Sequence, residues 1–165
     1  MSSNSPSNVG ETQARRLEAA LAQIEALFAR PEVQQRLRQA PGENEWSAME
    51  ILGHCTELVP YWVNQSRKLI DAAGELPAFG RGLDSPERIE AVERGKTGNP
   101  DALLAELRRA VAAAVPTIRA LTPAELEKAG MHSRRGRMTV REIVDFFILD
   151  HAEEHVKQVQ AALSQ

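Results

Sequence analysis

A chain of 165 residues that is 42% hydrophobic and 26% charged suits one domain around one core, and such a composition excludes disorder as the default. A net charge of -3 gives no global attraction to nucleic acid, and no run approaches the roughly 18 apolar residues of a membrane span, so neither partner is expected. The single cysteine, Cys55, cannot form an internal disulfide and fits a reducing compartment, which makes the expected location cytoplasmic.

Residues 1–10, MSSNSPSNVG, are rich in Ser, Asn, Gly and Pro and read as a disordered tail ahead of a domain spanning 11–165. From Glu11 to Arg30, Ala14, Leu17, Ala20, Leu21, Ile24, Leu27 and Phe28 recur at spacings of three and four, the signature of an amphipathic helix that Pro31 ends. A second helix starts at Ser47, with Glu50 closing a capping box and Trp46 placed to staple onto Ile51, and runs to about Gly74. The third follows Asn99-Pro100-Asp101 and faces Leu103, Leu104, Leu107, Val111, Val115 and Ile118 inward until Thr122-Pro123. The fourth opens at Met138, Thr139, Glu142 and Ile143, which repeat the start signal of the second.

No segment shows sustained strand alternation, so the expected fold is all-α, a four-helix bundle with short extra helices in its connections. Residues 75–98 carry Pro77, Gly80, Gly82, Pro86, Gly95 and Gly98 around a short helix at Pro86 to Arg94. That connection is long enough to return along the bundle and let the second and third helices run parallel. Pro60 and Pro116 fall inside helical patterns, and Pro60 projects away from the Ile51, Cys55, Leu58 and Trp62 stripe.

The stretch HAEEHVKQ, His151 to Gln158, carries the chemistry. At 100° per residue, Ile143, Val144, Phe147, His151, Glu154, His155 and Gln158 share an arc of about 120°, so an inward apolar face is expected to turn polar. His151 and His155 emerge on one face with Cβ atoms about 6 Å apart, close enough to chelate one ion if a third ligand exists. His54 flanks the apolar stripe of the second helix, and it reaches a similar height if the second and fourth helices are antiparallel neighbours. Three neutral nitrogens suit Zn²⁺, Ni²⁺ or Fe²⁺ and leave a coordination position open, as catalytic sites do. The H-x-x-E-H string from His151 to His155 is not a metalloprotease signature here, because only ten residues follow it and that family takes a ligand far downstream. No Glu-x-x-His pair occurs, which removes a di-iron bundle.

With W-S-x-x-E-x-x-x-H at Trp46 to His54 and D-H-x-x-x-H-x-x-Q at Asp150 to Gln158, the sequence resembles the DinB/YfiT-like superfamily of metal-dependent bundle proteins. The resemblance covers nearly the whole chain and implies an up-down-down-up bundle holding a divalent metal on His54, His151 and His155. It also implies a transferase or isomerase that uses a low-molecular-weight thiol of the bacillithiol, mycothiol or glutathione type, with hydrolysis a further option. The competing class is a non-catalytic metal-binding or stress-response bundle, and a third is a metal-free interaction module with packed histidines.

Glu154 and Gln158 are the candidate catalytic residues, placed to orient metal-bound water, or else they face solvent. Asp150 either holds an imidazole N–H or is a surface carboxylate. Cys55 reads as a buried small hydrophobe, and Tyr61 and Trp62 as core aromatics. His132 with Arg134, Arg135 and Arg137 reads as a solvated basic loop that could border the cavity. The expected partners are a small-molecule substrate and a second copy of the chain, a homodimer, since related bundles often pair.

Overall fold

The computed structural model describes residues 8–74 and 76–164. Helix α1 is Val9–Phe28, with the Asn8 side chain accepting the N–H of Glu11, so residues 8–10 belong to the bundle rather than to a tail. The rest of the expected tail, 1–7, lies outside the described residues. A single 3₁₀ turn, Pro31–Val33, leads toward α2, Ala48–Asp71. Both halves of the Ser47/Glu50 capping box form, at 3.1 and 3.2 Å. Helix α3 is Pro86–Thr97 and α4 is Pro100–Arg119, both opening on proline where no intrahelical donor is missed.

After the short α5, Pro123–Leu126, come strands β2 and β3, Ala129–His132 and Gly136–Thr139, which pair antiparallel, while β1, Ala78–Phe79, joins β2 in parallel. The sequence carries no strand signal because strands of two to four residues are too short to alternate visibly. The β2–β3 turn is Ser133, Arg134 and Arg135, closed by Gly136 at a φ of 74°, a left-handed position that favours glycine.

The last helix opens at α6, Val140–Ile143, on the Thr139/Glu142 capping box, continues through a π-helical segment, Val144–Asp150, and ends as α7, His151–Leu163. Helix α1 packs on α4 and α7, and α2 packs on the same two. Side-chain pairs set the directions. Gln13 meets Asp145 and Arg16 meets Asp150, so α1 and the last helix run the same way, whereas Arg119 meets Glu18 and Arg108 meets Glu25, so α1 and α4 oppose. His54 lies by His155 and Trp62 by Phe147, which makes α2 antiparallel to the last helix. Those directions accord with the up-down-down-up order.

Helix α3 lies unusually close to α2. A Cβ at Gly53 would meet the carbonyl oxygen of Ala91 at 2.4 Å, and one at Gly95 the carbonyl oxygen of Met49 at 2.3 Å. Two glycines facing each other's backbone let α3 lie flat on α2, and this seating carries Arg88 toward the end of the bundle where His54 sits.

Candidate metal centre and its cavity

His54 from α2 and His151 and His155 from the last helix line one cavity of about 250 Å³, with Trp62, Phe147 and Arg88 among its other walls. Which of the last helix's residues face inward is decided by the π segment. An i to i+5 turn takes up about one residue more than an α turn, roughly 100° of rotation, so the face that held Ile143, Val144, Phe147 and Ile148 resumes one position late. The buried positions of α7 are accordingly Ala152, His155, Val156, Val159, Ala162 and Leu163.

The apolar stripe therefore does not turn polar; it shifts. His155 lies on it, 7% exposed, and His151 is half-buried at its flank. Glu154 is rotated outward and exposed, which corrects its placement on the inward arc. Gln158 is also exposed, but its Oε1 lies 2.8 Å from Nδ1 of His155, so it holds that ring.

His151 is tethered in the same way, with Nδ1 3.2 Å from the Phe147 carbonyl oxygen. A ring that donates Nδ1–H leaves Nε2 unprotonated, the arrangement found in most metal-ligating histidines. His54 is 4% exposed, and its Nδ1 has no hydrogen-bond partner among the described residues. Such an orphan costs about 1–3 kcal/mol, which a bound group could offset. Burial lowers the pKa of all three rings, that of His54 to about 2, with repulsion from His155, Arg88, Arg81 and His151 adding to the effect. Neutral imidazole is the ligating form.

The donor set thus fits a divalent ion, and the spacing fits in part. Two imidazoles bound tetrahedrally through nitrogens at about 2.0–2.1 Å have centroids roughly 5 Å apart. His54 and His155 stand at 5.0 Å, whereas His151 and His155 stand at 6.0 Å. Among the described residues no three His, Cys, Asp or Glu side chains are gathered tightly enough to hold an ion, so ligation by all three needs the rings to draw in.

Asp150 is a surface carboxylate, 3.1 Å from Arg16, and does not hold an imidazole. Cys55 is buried, and burial pushes its thiol up to about 12, which keeps it protonated and inert. The connections contribute more than the sequence reading allows. His132 is buried rather than solvated, and its Nδ1 accepts the backbone N–H groups of Arg134 and Arg135 at 3.2 and 3.3 Å. His132, Arg134 and Arg135 all line the cavity, whereas Arg137 lies on a different one beside Leu69 and Lys128. Trp62 is a cavity wall as well as a core residue, stacked on Phe147 at 3.9 Å.

Sequence reasoning misses Arg81 and Arg88, because both lie in a Gly- and Pro-rich connection with no periodicity to assign them a face. It also misses Trp46 as a neighbour of the site, although its ring is 5.1 Å from His54 and 6.3 Å from His155. Only its place just before the capping box of α2 hinted that it sits about two turns from His54, on the same side of the helix.

A four-helix bundle with a histidine-lined cavity between its second and last helices defines the class. The chain belongs to the DinB superfamily, which it matches over residues 16–159. YfiT from Bacillus subtilis, described as a probable metal-dependent hydrolase with an unusual four-helix bundle topology, shares the fold. Its TM-score is 0.75 over 93% of this chain and 85% of that one, at 16% identity. No curated protein matches the sequence significantly.

Proposed function

We propose that this chain is a metal-dependent enzyme in which His54, His151 and His155 hold a divalent ion, Zn²⁺, Ni²⁺ or Fe²⁺. Its reaction is transfer or isomerisation of a small substrate with a low-molecular-weight thiol. One observation carries the reading: three imidazoles from two helices face one cavity, and two have Nδ1 tethered so that Nε2 is left to ligate.

Such an ion, when bound, supplies a Lewis acid that lowers the pKa of a thiol or water. The chain's own residues do the remaining work. Gln158 and the Phe147 carbonyl fix two rings, and Trp62 stacked on Phe147 walls water out of one side. The described lining residues include no carboxylate, so no Asp or Glu stands ready to take a proton from water. A thiol, more acidic than water to begin with, has less need of such a base.

The test is metal analysis of protein purified without a histidine tag, followed by Zn²⁺ uptake in wild type and His155→Ala. Wild type should bind one ion and the variant should lose affinity by about 10-fold or more. A wild-type protein that cannot be loaded with Zn²⁺ or Ni²⁺ sinks the metal reading. If metal loads but neither thiols nor small electrophiles compete for it, and chelation unfolds the bundle, the non-catalytic metal-binding role replaces catalysis.

A further inference from the structure

Beyond the histidines, the cavity is defined by guanidinium groups. Arg81, Arg88, Arg134 and Arg135 all line it, and they come from two separate parts of the chain: Arg81 just ahead of α3 and Arg88 in its first turn, Arg134 and Arg135 in the β2–β3 turn. Three of the four lie against aromatic rings: Arg81 Cζ is 3.8 Å from the Tyr61 centroid, Arg88 Cζ 5.1 Å from Trp46 and Arg135 Cζ 3.5 Å from Phe146. Stacking of this kind holds the planar group by its face and leaves its N–H edges for a partner.

Among the described residues, only Arg81 of the four has an anionic partner, Glu57, which it grips with both terminal nitrogens. Arg88 donates to the Leu83 carbonyl oxygen at 2.8 Å, and among the described residues no carboxylate pairs with Arg88, Arg134 or Arg135. Like charge so gathered is unfavourable; burial and the nearby Arg81 both lower the pKa of Arg88. The β2–β3 turn is fixed rather than left loose, because the buried His132 ring accepts two of its backbone N–H groups.

We propose that this cavity binds the oxyanion of a small substrate, a carboxylate, sulfonate or phosphate. Arg88 and Arg135 are its principal donors, Arg134 stands at the rim, and Trp62, Phe146 and Phe147 flank the apolar body. The inference deepens the proposed function by naming the substrate class of the same cavity, and it rests on that reading only for the statement that the ligand is a substrate. A volume of about 250 Å³ confines the ligand to a small molecule. A bidentate guanidinium–oxyanion pair in a partly desolvated site is among the stronger polar contacts, and Lys would not reproduce it.

Calorimetric titration of the metal-free protein, held in chelator, tests the anion site apart from the metal. The probes are benzenesulfonate, benzyl alcohol and benzylammonium, with inorganic sulfate to separate the charge from the body. Benzenesulfonate should bind at least about 10-fold more tightly than benzyl alcohol and more tightly than sulfate, benzylammonium should not bind, and rising salt should weaken the anion. Arg88→Gln and Arg135→Gln should each weaken benzenesulfonate about 10-fold. Arg137→Gln, in β3 just past the turn and lining another cavity, should leave it unchanged.

Equal binding of the anionic and neutral probes overturns the proposal. So does an Arg137→Gln variant that loses as much affinity as Arg135→Gln, since the effect would then be general surface charge. Protein that binds benzenesulfonate but takes up no Zn²⁺ keeps the anion site and loses the metal reading, and protein that takes up Zn²⁺ without discriminating charge does the reverse.

Discussion

His155 and Ile143 sit on the same inward face of the last helix, one on each side of the π segment, and should respond to truncation in opposite ways. Ile143 is fully buried in the core, so Ile143→Ala should cost about 2–5 kcal/mol with or without metal. His155 borders a cavity and sheds a desolvated imidazole when truncated, so His155→Ala should cost the metal-free bundle about 1 kcal/mol or less while abolishing tight Zn²⁺ uptake. Denaturant melts with and without Zn²⁺ measure both, and equal losses in the metal-free protein would make His155 a packing residue. The histidines also set an acid limit. His54, His151, His155 and His132 all titrate below the ordinary 6.5 when folded, burial being the leading cause at each. Below that pH the unfolded chain takes up protons that the folded chain refuses, so stability present above it is lost as pH falls, for His54 down to about 2. His54→Gln should flatten this acid dependence in chelator, as read from denaturation midpoints against pH; an unchanged slope would clear His54 of the effect.

At the scale of elements, the contact between α2 and α3 sets a conflict between propensity and packing. Gly95→Ala gains roughly 0.5–1 kcal/mol of helix propensity. Its Cβ, however, would meet the Met49 carbonyl oxygen at 2.3 Å and Glu50 Cα at 2.9 Å, backbone that cannot swing aside as a flexible side chain can. Overpacking typically costs about 1–3 kcal/mol, so the clash should win and the variant should melt earlier, with Arg88 displaced along with α3. A variant as stable as wild type would show that α3 can slide freely. The π segment is the other element with a large effect, since it moves Glu154 out of the arc and leaves His155 in.

For the whole molecule, metal is expected to act as a clamp between α2 and the last helix, which share no sequence proximity. Zn²⁺ at about 100 times its dissociation constant should stabilise the wild type by about 2.7 kcal/mol, and His54→Gln or His151→Ala should remove most of that gain. Thermal melts at matched free Zn²⁺ check it, and a gain that survives in both variants would place the ion elsewhere. The described helices include none long and apolar enough to cross a membrane.

Local chemistry was legible in the sequence because its partners are three or four residues apart. Ser47 with Glu50 and Thr139 with Glu142 marked two helix starts, Asn99-Pro100 marked a third, and the stripe of α1 named its buried face. The three histidines could be nominated because α2 and the last helix have legible faces and lengths. What the tertiary structure alone decided depends on groups far apart in the chain or on a backbone irregularity that composition does not encode. The one-residue phase shift of the π segment carries no motif, so Glu154 was placed inward. The short strands that seat His132 against Phe79 and Trp62 pair segments about fifty residues apart, too short to show a period. The arginines of two connections reach one cavity only because glycines at 53 and 95 let α3 approach α2 and because His132 folds its own turn back, contacts that no local spacing in the sequence can express.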